Sequence, residues 1–375
     1  MRVLHVITGL NTGGAETVLC RLLESLPAPA YEHVVVALGE EGTLSARVAK
    51  LAKLHHLGMR PGRVRFGDIV RLRRLVRSVQ PEVIQGWMYH ANLMATLATV
   101  GLGIPVAWGI RHSLHELSHE KRATRLVVRA SAWLSRLPRR IVYNSSVSAG
   151  QHQASGFSNR RTQVIANGYD TEILAPCEGD RARVRQELAI APGALAIGLV
   201  ARVHPMKDHE NFLRAAALLV QQRPDAVFLL VGEGTEAGRF GQERLISELG
   251  LEGHVRLCGR RTDIADINNA LDIASSSSWG EAFPNAIAEA MACGKPCIAT
   301  DVGDVRQIID DTGVVVPPRD PAALAAGWMK LAALGAGGRG ALGARARERI
   351  VERYSLDAMA KRYADLYSEL AGVGA

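Results

Sequence analysis

The sequence predicts two doubly wound α/β domains in tandem. Three observations predict it: short apolar runs alternate with longer amphipathic ones, the alternation breaks once, and it then resumes without repeating any sequence. In the N-terminal half RVLHVI, HVVVAL, EVIQGW, IPVAWGI and RRIVYN read as strands, with helical patterns between them at about 14–26, 43–53, 67–79, 90–100 and 119–135. Such short, branched, apolar strands belong in a parallel sheet covered by helices on both faces. The break is VIANGYDTEILAP (164–176), where Asn167-Gly168 signals a turn and Pro176 stops regular structure. It separates a domain of residues 1–170 from one of 171–355. ALAIGLVARV, AVFLLVGEG, HVRLCGR, DIASSSS, KPCIATDVG and GVVVPP then resume the pattern, and helices near 320–334, 338–353 and 356–371 close the chain. The glycine-rich GAGGRGALGARA stretch reads as a helix connection. Ligands of such sheets sit beyond the carboxyl ends of the strands, so two facing sheets would share a cleft.

Composition narrows the class. Of 375 residues 47% are hydrophobic, enough for a core without disulfides or metals. No apolar run long enough to span a membrane or to act as a signal peptide is visible, which suggests a cytoplasmic protein. Cys20, Cys177, Cys258, Cys293 and Cys297 form no CxxC pair and read as reduced thiols. Residues 1–175 carry 22 Lys and Arg against 11 Asp and Glu, a balance of +11, whereas the remainder carries 23 against 26. This asymmetry points to an anionic partner of the N-terminal half. Nucleic acid is excluded by the lack of zinc-finger, helix-turn-helix or RNP-type patterns. An anionic membrane surface or a phosphorylated lipid fits better. The basic residues cluster in 60–79 (Arg63, Arg65, Arg71, Arg73, Arg74, Arg77) and in 119–140 (Lys121, Arg122, Arg125, Arg129, Arg136), the second mixed with Leu126, Val127, Trp133 and Leu134. Basic residues flanking an apolar, Trp-bearing face suit an interfacial helix, although a helix that merely covers a sheet also has an apolar face.

Three segments carry chemistry. GEAFPNAIAEAMACGKPCIATDVGD (280–304) is a polar loop entering a helix, with Pro284 suited to the first turn, whose N–H groups attract an anion. Glu281 lies in the loop and Glu289 on the second turn, so both can face one ligand. A carboxylate beside a diphosphate is repelled, so Glu289 is better matched to neutral ribose hydroxyls, unless it is simply solvated. In GLVARVHPMKDHENFLRA (198–215), Arg202 and Lys207 follow a strand and precede a helix, where a phosphate-binding pair belongs. In TGLNTGGAETVLCRLL, Gly13 and Gly14 sit between the first strand and first helix and allow close approach of backbone to a ligand.

Together these segments resemble the family 4 glycosyltransferases, retaining, sugar-nucleotide-dependent enzymes of the GT-B fold with two facing Rossmann-like domains. The resemblance runs over essentially the whole chain. It includes the Gly-Gly-Ala-Glu entry to the first helix, Asn167-Gly168, Arg202 with Lys207, the Glu281–x7–Glu289 segment and the closing RERIVERYSLDAMAKRYADLYSEL. It implies that the last helix, about 356–375, crosses back to the N-terminal domain. It further implies that Arg202 and Lys207 hold the diphosphate and stabilise the leaving group, and that Glu289 binds the ribose. Glu281 would meet the transferred sugar beside the N–H groups of Ala282, Phe283 and Asn285, Gly259-Arg260 would seat the base, and Gly13 and Gly14 would close on the phosphates. Many members place a histidine after the fifth strand. Here GIRHS offers Arg111 or His112, and His90 in WMYHANL lies on the same face, toward the acceptor.

The chain contains no Asp-x-Asp, the metal-holding motif of GT-A transferases, so the two cations are expected to replace a metal. No cofactor is expected beyond the co-substrate, a UDP-sugar in preference to a GDP-sugar. The acceptor implied is a glycan or lipid-linked saccharide in polysaccharide, lipopolysaccharide or cell-envelope synthesis, at the inner face of the cell membrane. A sugar-nucleotide 2-epimerase of the same fold and a non-catalytic sugar-nucleotide binding protein are the alternatives. A Rossmann oxidoreductase is disfavoured because no strand-associated GxGxxG with a following acidic residue occurs.

Overall fold

The computed structural model describes residues 1–60, 65–114 and 122–373. The chain forms two compact units, one of Met1–Gly168 joined by Leu356–Ala375, the other of Tyr169–Ser355.

The first unit contains β1 (Arg2–Ile7), α1 (Gly14–Ser25), β2 (Glu32–Ala37), α2 (Ser45–Leu51), β3 (Lys53–His56), α3 (Phe66–Val79), β4 (Val83–Trp87), α4 (Met88–Thr99), β5 (Val106–Ile110), α5 (Arg122–Leu134), β6 (Arg140–Tyr143), α6 (Ser146–Ala154) and β7 (Thr162–Val164). Its strands pair in parallel in the order β3-β2-β1-β4-β5-β6-β7. The predicted strands are the central ones, buried on both faces, as apolar parallel strands must be. The two edge strands were not predicted: KLHH and TQV are short and half-wet, so neither leaves a run of apolar residues. Also unpredicted is α6, whose helix starts on a Ser145 cap that accepts from the Ser148 N–H at 3.0 Å.

Apolar side chains fill both faces of this sheet. On one face α3, α4 and α5 bury Leu72, Val76, Met94, Ala95, Val128 and Ala132. On the other α1 is joined by α15 (Leu356–Ala371), which brings Met359, Ala360, Tyr363, Leu366 and Tyr367 from the far end of the chain. Beneath α15 lies a polar chain inside this core. The Trp87 indole N–H donates to His5 Nδ1 (3.3 Å), His5 Nε2 meets His33 Nδ1 (3.0 Å), and His33 Nε2 meets the Leu26 carbonyl (2.8 Å). Each ring nitrogen has one partner only if both imidazoles are neutral. Burial holds His5 well below the usual imidazole range and lowers His33 too.

The second unit contains α7 (Glu178–Glu187), β8 (Leu195–Val200), α8 (His209–Val220), β9 (Ala226–Val231), α9 (Glu243–Glu248), β10 (Val255–Gly259), α10 (Ile264–Ala270), β11 (Ile273–Ser276), α11 (Asn285–Ala292), β12 (Cys297–Thr300), α12 (Val305–Ile309), β13 (Gly313–Val316), α13 (Pro321–Ala333) and α14 (Gly335–Tyr354). The parallel order is β10-β9-β8-β11-β12-β13. Trp328 of α13 fills the core between Phe212 and Phe228, with ring centroids 5.1 and 5.6 Å away. The glycine-rich stretch expected to connect helices is instead the first part of α14. Close packing explains the glycine at its centre: a Cβ on Gly343 would lie 2.0 Å from the Gly294 carbonyl oxygen, so only glycine lets this helix touch the turn after α11. The five cysteines are free thiols; burial pushes Cys293 up to about 12, which makes it inert.

The buried histidines generate a pH prediction. His152, held between the Tyr89 hydroxyl (2.7 Å) and the Ser148 carbonyl (2.7 Å), is pushed down by burial to about 4, as is His209. Their folded values lie below the unfolded value of about 6.5, so the unfolded chain takes up protons first. Stability should therefore be complete above pH ~6.5 and fall by a few kcal/mol toward pH ~4. Carboxylates held below their usual range by guanidinium partners, such as Asp225 beside Arg223 and Asp263 beside Arg261, act only at still lower pH. A thermal midpoint that stays flat between pH 7 and 4.5 would contradict the assignment.

Candidate functional site

In the second unit the chain turns in opposite directions after the adjacent strands β8 and β11, which opens a crevice beyond their carboxyl ends. The loops that leave these strands form the crevice. From β8, residues 201–204 run into a 3₁₀ turn at Pro205–Lys207, and Asp208 then caps α8 by accepting from the Asn211 N–H at 3.2 Å. From β11, residues 277–284 lead to α11.

The two loops are stapled together. The three successive carbonyls of the 3₁₀ turn are each taken by the neighbouring loop: Pro205 O accepts from the Trp279 indole N–H, Met206 O from the Trp279 backbone N–H and Lys207 O from the Ser277 hydroxyl, all at 2.9 Å. Arg319 stacks on the outer face of the Trp279 ring, 4.8 Å from its centroid. Lys207 Nζ is thereby brought into an ion pair with Glu281, whose carboxylate also accepts from the Ser278 hydroxyl at 2.8 Å. Burial and then the positive charges of Arg202 and Lys207 lower the pKa of His204, which records the cationic field of this loop.

A cavity of about 290 Å³ opens between these loops. Arg202, Lys207, Arg260, Glu281, Phe283, Asn285 and Glu289 all line it, so these residues singled out in the C-terminal half converge on one place; Gly259 does not line it. Gly259, with a positive φ of 61°, turns the chain just before Arg260. Two details differ from expectation. Pro284 stands at the helix cap rather than inside the first turn, and the Asn285 N–H donates to the Phe283 carbonyl (3.0 Å). Phe283 turns its ring inward between Tyr169 and Tyr354, which leaves its backbone for the cavity. Also lining the cavity, and not anticipated, are Val231, Gly232, Arg261, Ile264, Ser276 and Ser278. All but Ile264, which opens α10, lie at or just beyond strand ends, and that rule alone could have found them. Chemically, two cations and a helix N-terminus beside two carboxylates can hold a polyanion next to a polyol.

Gly13, Gly14, His90, Arg111 and His112 belong to the first unit. Gly13 caps α1 in an extended conformation, and a Cβ there would strike the Glu16 carboxylate; around Gly14 the space is open. Arg111 is committed to its own unit. It donates to Asn167 and, at 2.6 Å, to the Tyr363 hydroxyl of α15, and its guanidinium lies 5.2 Å from the Trp87 ring centroid. His112 follows it in a loop pinned by α6, where the Ser148 hydroxyl donates to the His112 carbonyl (2.5 Å) and Gln151 accepts from both the Ser113 hydroxyl and the Leu114 N–H (2.8 Å each). His90 is half-buried on the first turn of α4, and burial lowers its pKa. Among the described residues no group of three or more His, Cys, Asp or Glu side chains is placed to hold a metal.

Residues 12–173 match the family model described as Glycosyltransferase Family 4, and residues 194–333 that described as Glycosyl transferases group 1. The chain thus carries a family 4 domain followed by a group 1 domain, and its fold is that of the GT-B glycosyltransferases. The D-inositol 3-phosphate glycosyltransferase of Salinispora tropica is 30% identical over 246 residues, covering 61% of this chain and 51% of that protein. That of Geodermatophilus obscurus is 34% identical over 236 residues, with coverages of 57% and 50%. The chain spans about half the length of these curated relatives. Among solved structures, Anabaena Alr3699/HepE in complex with UDP matches with a TM-score of 0.85 and 21% identity over 98% of this chain and 100% of that one. Sucrose-phosphate synthase of Thermosynechococcus elongatus matches at 0.81 and 19% over 100% of both chains.

The staple generates a prediction. Trp279→Phe removes one neutral hydrogen bond to the Lys207 turn while keeping a ring under Arg319. It should weaken binding of a nucleoside diphosphate roughly fivefold, about 1 kcal/mol, with little change in melting temperature. Calorimetry that returns wild-type affinity for the variant would show that the turn holds its shape without the indole.

Proposed function

We propose that this protein is a retaining glycosyltransferase that moves a sugar from a nucleoside-diphosphate sugar to a lipid-linked saccharide or glycan precursor of a cell-surface polysaccharide or lipopolysaccharide. The observation that carries the reading is the convergence of Arg202 and Lys207 with Glu281 and Glu289 on one cavity at the β8/β11 crevice. The names of the curated relatives support the reaction class, and the resemblance favours a UDP-sugar over a GDP-sugar.

In this reading the diphosphate lies against Arg202, Lys207 and the start of α11, and the ribose against Glu289. The base occupies the side of the cavity formed by Arg260, just after the Gly259 turn. Cleavage of the bond between the anomeric carbon and the β-phosphate oxygen builds negative charge on that phosphate. Arg202 and Lys207, the latter held by Glu281, stabilise it, and they stand where a metal would otherwise act. The acceptor hydroxyl attacks the anomeric carbon from the face the phosphate leaves, so configuration is retained. Its proton passes to a departing phosphate oxygen, and no carboxylate base is needed. Lys207 sits between Glu281 and the phosphate, so arrival of the diphosphate shares the cation and leaves the Glu281 carboxylate to accept from the sugar hydroxyls. The acceptor places the protein at the cytoplasmic face of a membrane. No helix among the described residues is long and apolar enough to cross one; in this reading the attachment is peripheral.

Lys207→Ala should lower turnover roughly 10²–10³-fold while the protein stays folded, as loss of a preorganised charge-stabilising group does. Wild-type turnover in that variant removes the central element of the mechanism. Transfer should also survive excess EDTA; abolition by chelation, with rescue by Mg²⁺ or Mn²⁺, would show that a metal and not this cation pair carries the leaving group. Incubation with donor alone should yield no epimerised sugar, the product that marks a 2-epimerase.

A further inference from the structure

The α5–β6–α6–β7 half of the N-terminal unit has a charge pattern that its fold does not require. Residues 121–169 hold nine Lys and Arg and not one Asp or Glu, where the chain's average density would place about five acidic residues. Ion pairing within this stretch is therefore impossible.

Helix α5 shows where the charge is aimed. Its inner face buries Val128, Ser131 and Ala132 against the sheet. Its outer face continues past the helix end as Leu126, Arg129, Ala130, Trp133, Arg136 and Leu137, spaced by threes and fours, and all are exposed. Trp133 is 80% exposed, Leu126 65% and Leu137 54%, so a ridge of large apolar side chains stands among arginines in water. Beside the end of α5 lies a hollow of about 620 Å³ lined by Arg136, Gln153, Ser158, Asn159, Arg160 and Arg161, with no carboxylate in its wall. Arg161 turns back to the carbonyls of Leu137 and Pro138, whereas Arg136 and Arg160 are exposed.

The other basic segment lacks this arrangement. Arg73 donates to the carbonyls of Ala98 (3.0 Å) and Val100 (2.7 Å) and so ties α3 to the end of α4, and Arg71 pairs with Asp68. Arg63 and Lys121 lie outside the described residues.

We propose that this face docks on an anionic bilayer, with Trp133, Leu126 and Leu137 entering the interface and Arg136 and Arg160 receiving a phospholipid headgroup phosphate in the hollow. The proposal rests on the reading of the acceptor as lipid-linked and names the surface that brings the enzyme to it. Tryptophan and the arginine stems suit the boundary between acyl chains and headgroups, and a guanidinium fork matches phosphate. A nucleic acid would supply the phosphates but leave Leu126 and Leu137 without a partner. A second copy of the chain, docked face to face by symmetry, would oppose one carboxylate-free surface with another and be repelled.

The test is co-sedimentation with phosphatidylcholine vesicles and with phosphatidylcholine/phosphatidylglycerol vesicles, together with tryptophan emission. Trp87, Trp108 and Trp328 are fully buried and Trp279 is half-buried in the second unit, so it is the disappearance of a vesicle-induced blue shift in Trp133→Phe that assigns it to Trp133. The wild-type chain should bind only the anionic vesicles, less so in high salt. The triple variant Leu126→Ser, Trp133→Ser, Leu137→Ser and the double variant Arg136→Glu, Arg160→Glu should each lower partitioning at least about tenfold without lowering the melting temperature. The proposal is overturned if the anionic vesicles are not bound at low salt. It is equally overturned if neither variant changes binding, or if light scattering shows a Trp133-dependent dimer that ignores vesicles. Sugar transfer to a soluble acceptor in the absence of vesicle binding would sink the docking face alone. Vesicle binding without transfer from any nucleotide sugar would sink the proposed reaction alone.

Discussion

Three adjacent carbonyls, those of Pro205, Met206 and Lys207, line a single 3₁₀ turn, and Ser277 and Trp279 donate to all three, the Pro205 oxygen also accepting from the Asp208 N–H that closes the turn. The geometry of the site depends on this junction. A lysine on a free loop would sample many rotamers and lose entropy on meeting a phosphate. Here the backbone beneath Lys207 is held from one side, its ammonium is held by Glu281 from the other, and Glu281 is itself held by Ser278. Charge is thus positioned before a ligand arrives, the condition under which electrostatic stabilisation of a leaving group is most effective. Arg319, on the far side of Trp279, keeps the indole flat against the turn and extends the junction to the segment before α13.

The N-terminal unit solves a comparable problem with α6. The loop after β5 carries Arg111 and His112, and α6 receives it through Ser148 and Gln151. Arg111 points the other way, to Tyr363 of α15, so the final helix of the chain is held by a polar strap as well as by its apolar face. The neutral His5–His33 pair lies under the same helix, with Tyr367 edge-on to His5 at 6.4 Å between ring centroids. A buried charge here would have no counter-ion, which is why burial keeps these rings unprotonated.

Charge segregation is the second organising feature. The C-terminal unit interleaves its ions: Arg181 and Arg185 share Asp272, and Arg261 is held between Glu187 and Asp263. These pairs fix loops and helix ends without leaving a net field. The stretch from α5 to β7 does the opposite. It satisfies some of its guanidinium groups with carbonyls, pairs Arg140 with Glu369 of α15, and leaves others at the surface beside Trp133. One unit thus neutralises its surface and the other advertises it, and the uneven balance read from composition resolves into one face.

Central strands, the helices between them and the loops carrying Arg202, Lys207, Glu281 and Glu289 were legible in the sequence, because burial on both faces demands unbroken apolar runs and strand ends demand polar loops. Edge strands β3 and β7 were not legible, since a strand wetted on one side needs no apolar run. Nor was the unbroken run of α14 from Gly335, because the glycines read as a connection although a helix was expected from about 338; packing on Gly294 overrides their low propensity. Tertiary structure alone assigned the arginines: spacing cannot tell Arg111, which straps α15, or Arg73, which caps α4, from Arg202 at the cavity. Residue type and period are local properties of a chain. Which partner a long cationic side chain finds depends on what the fold brings to its end.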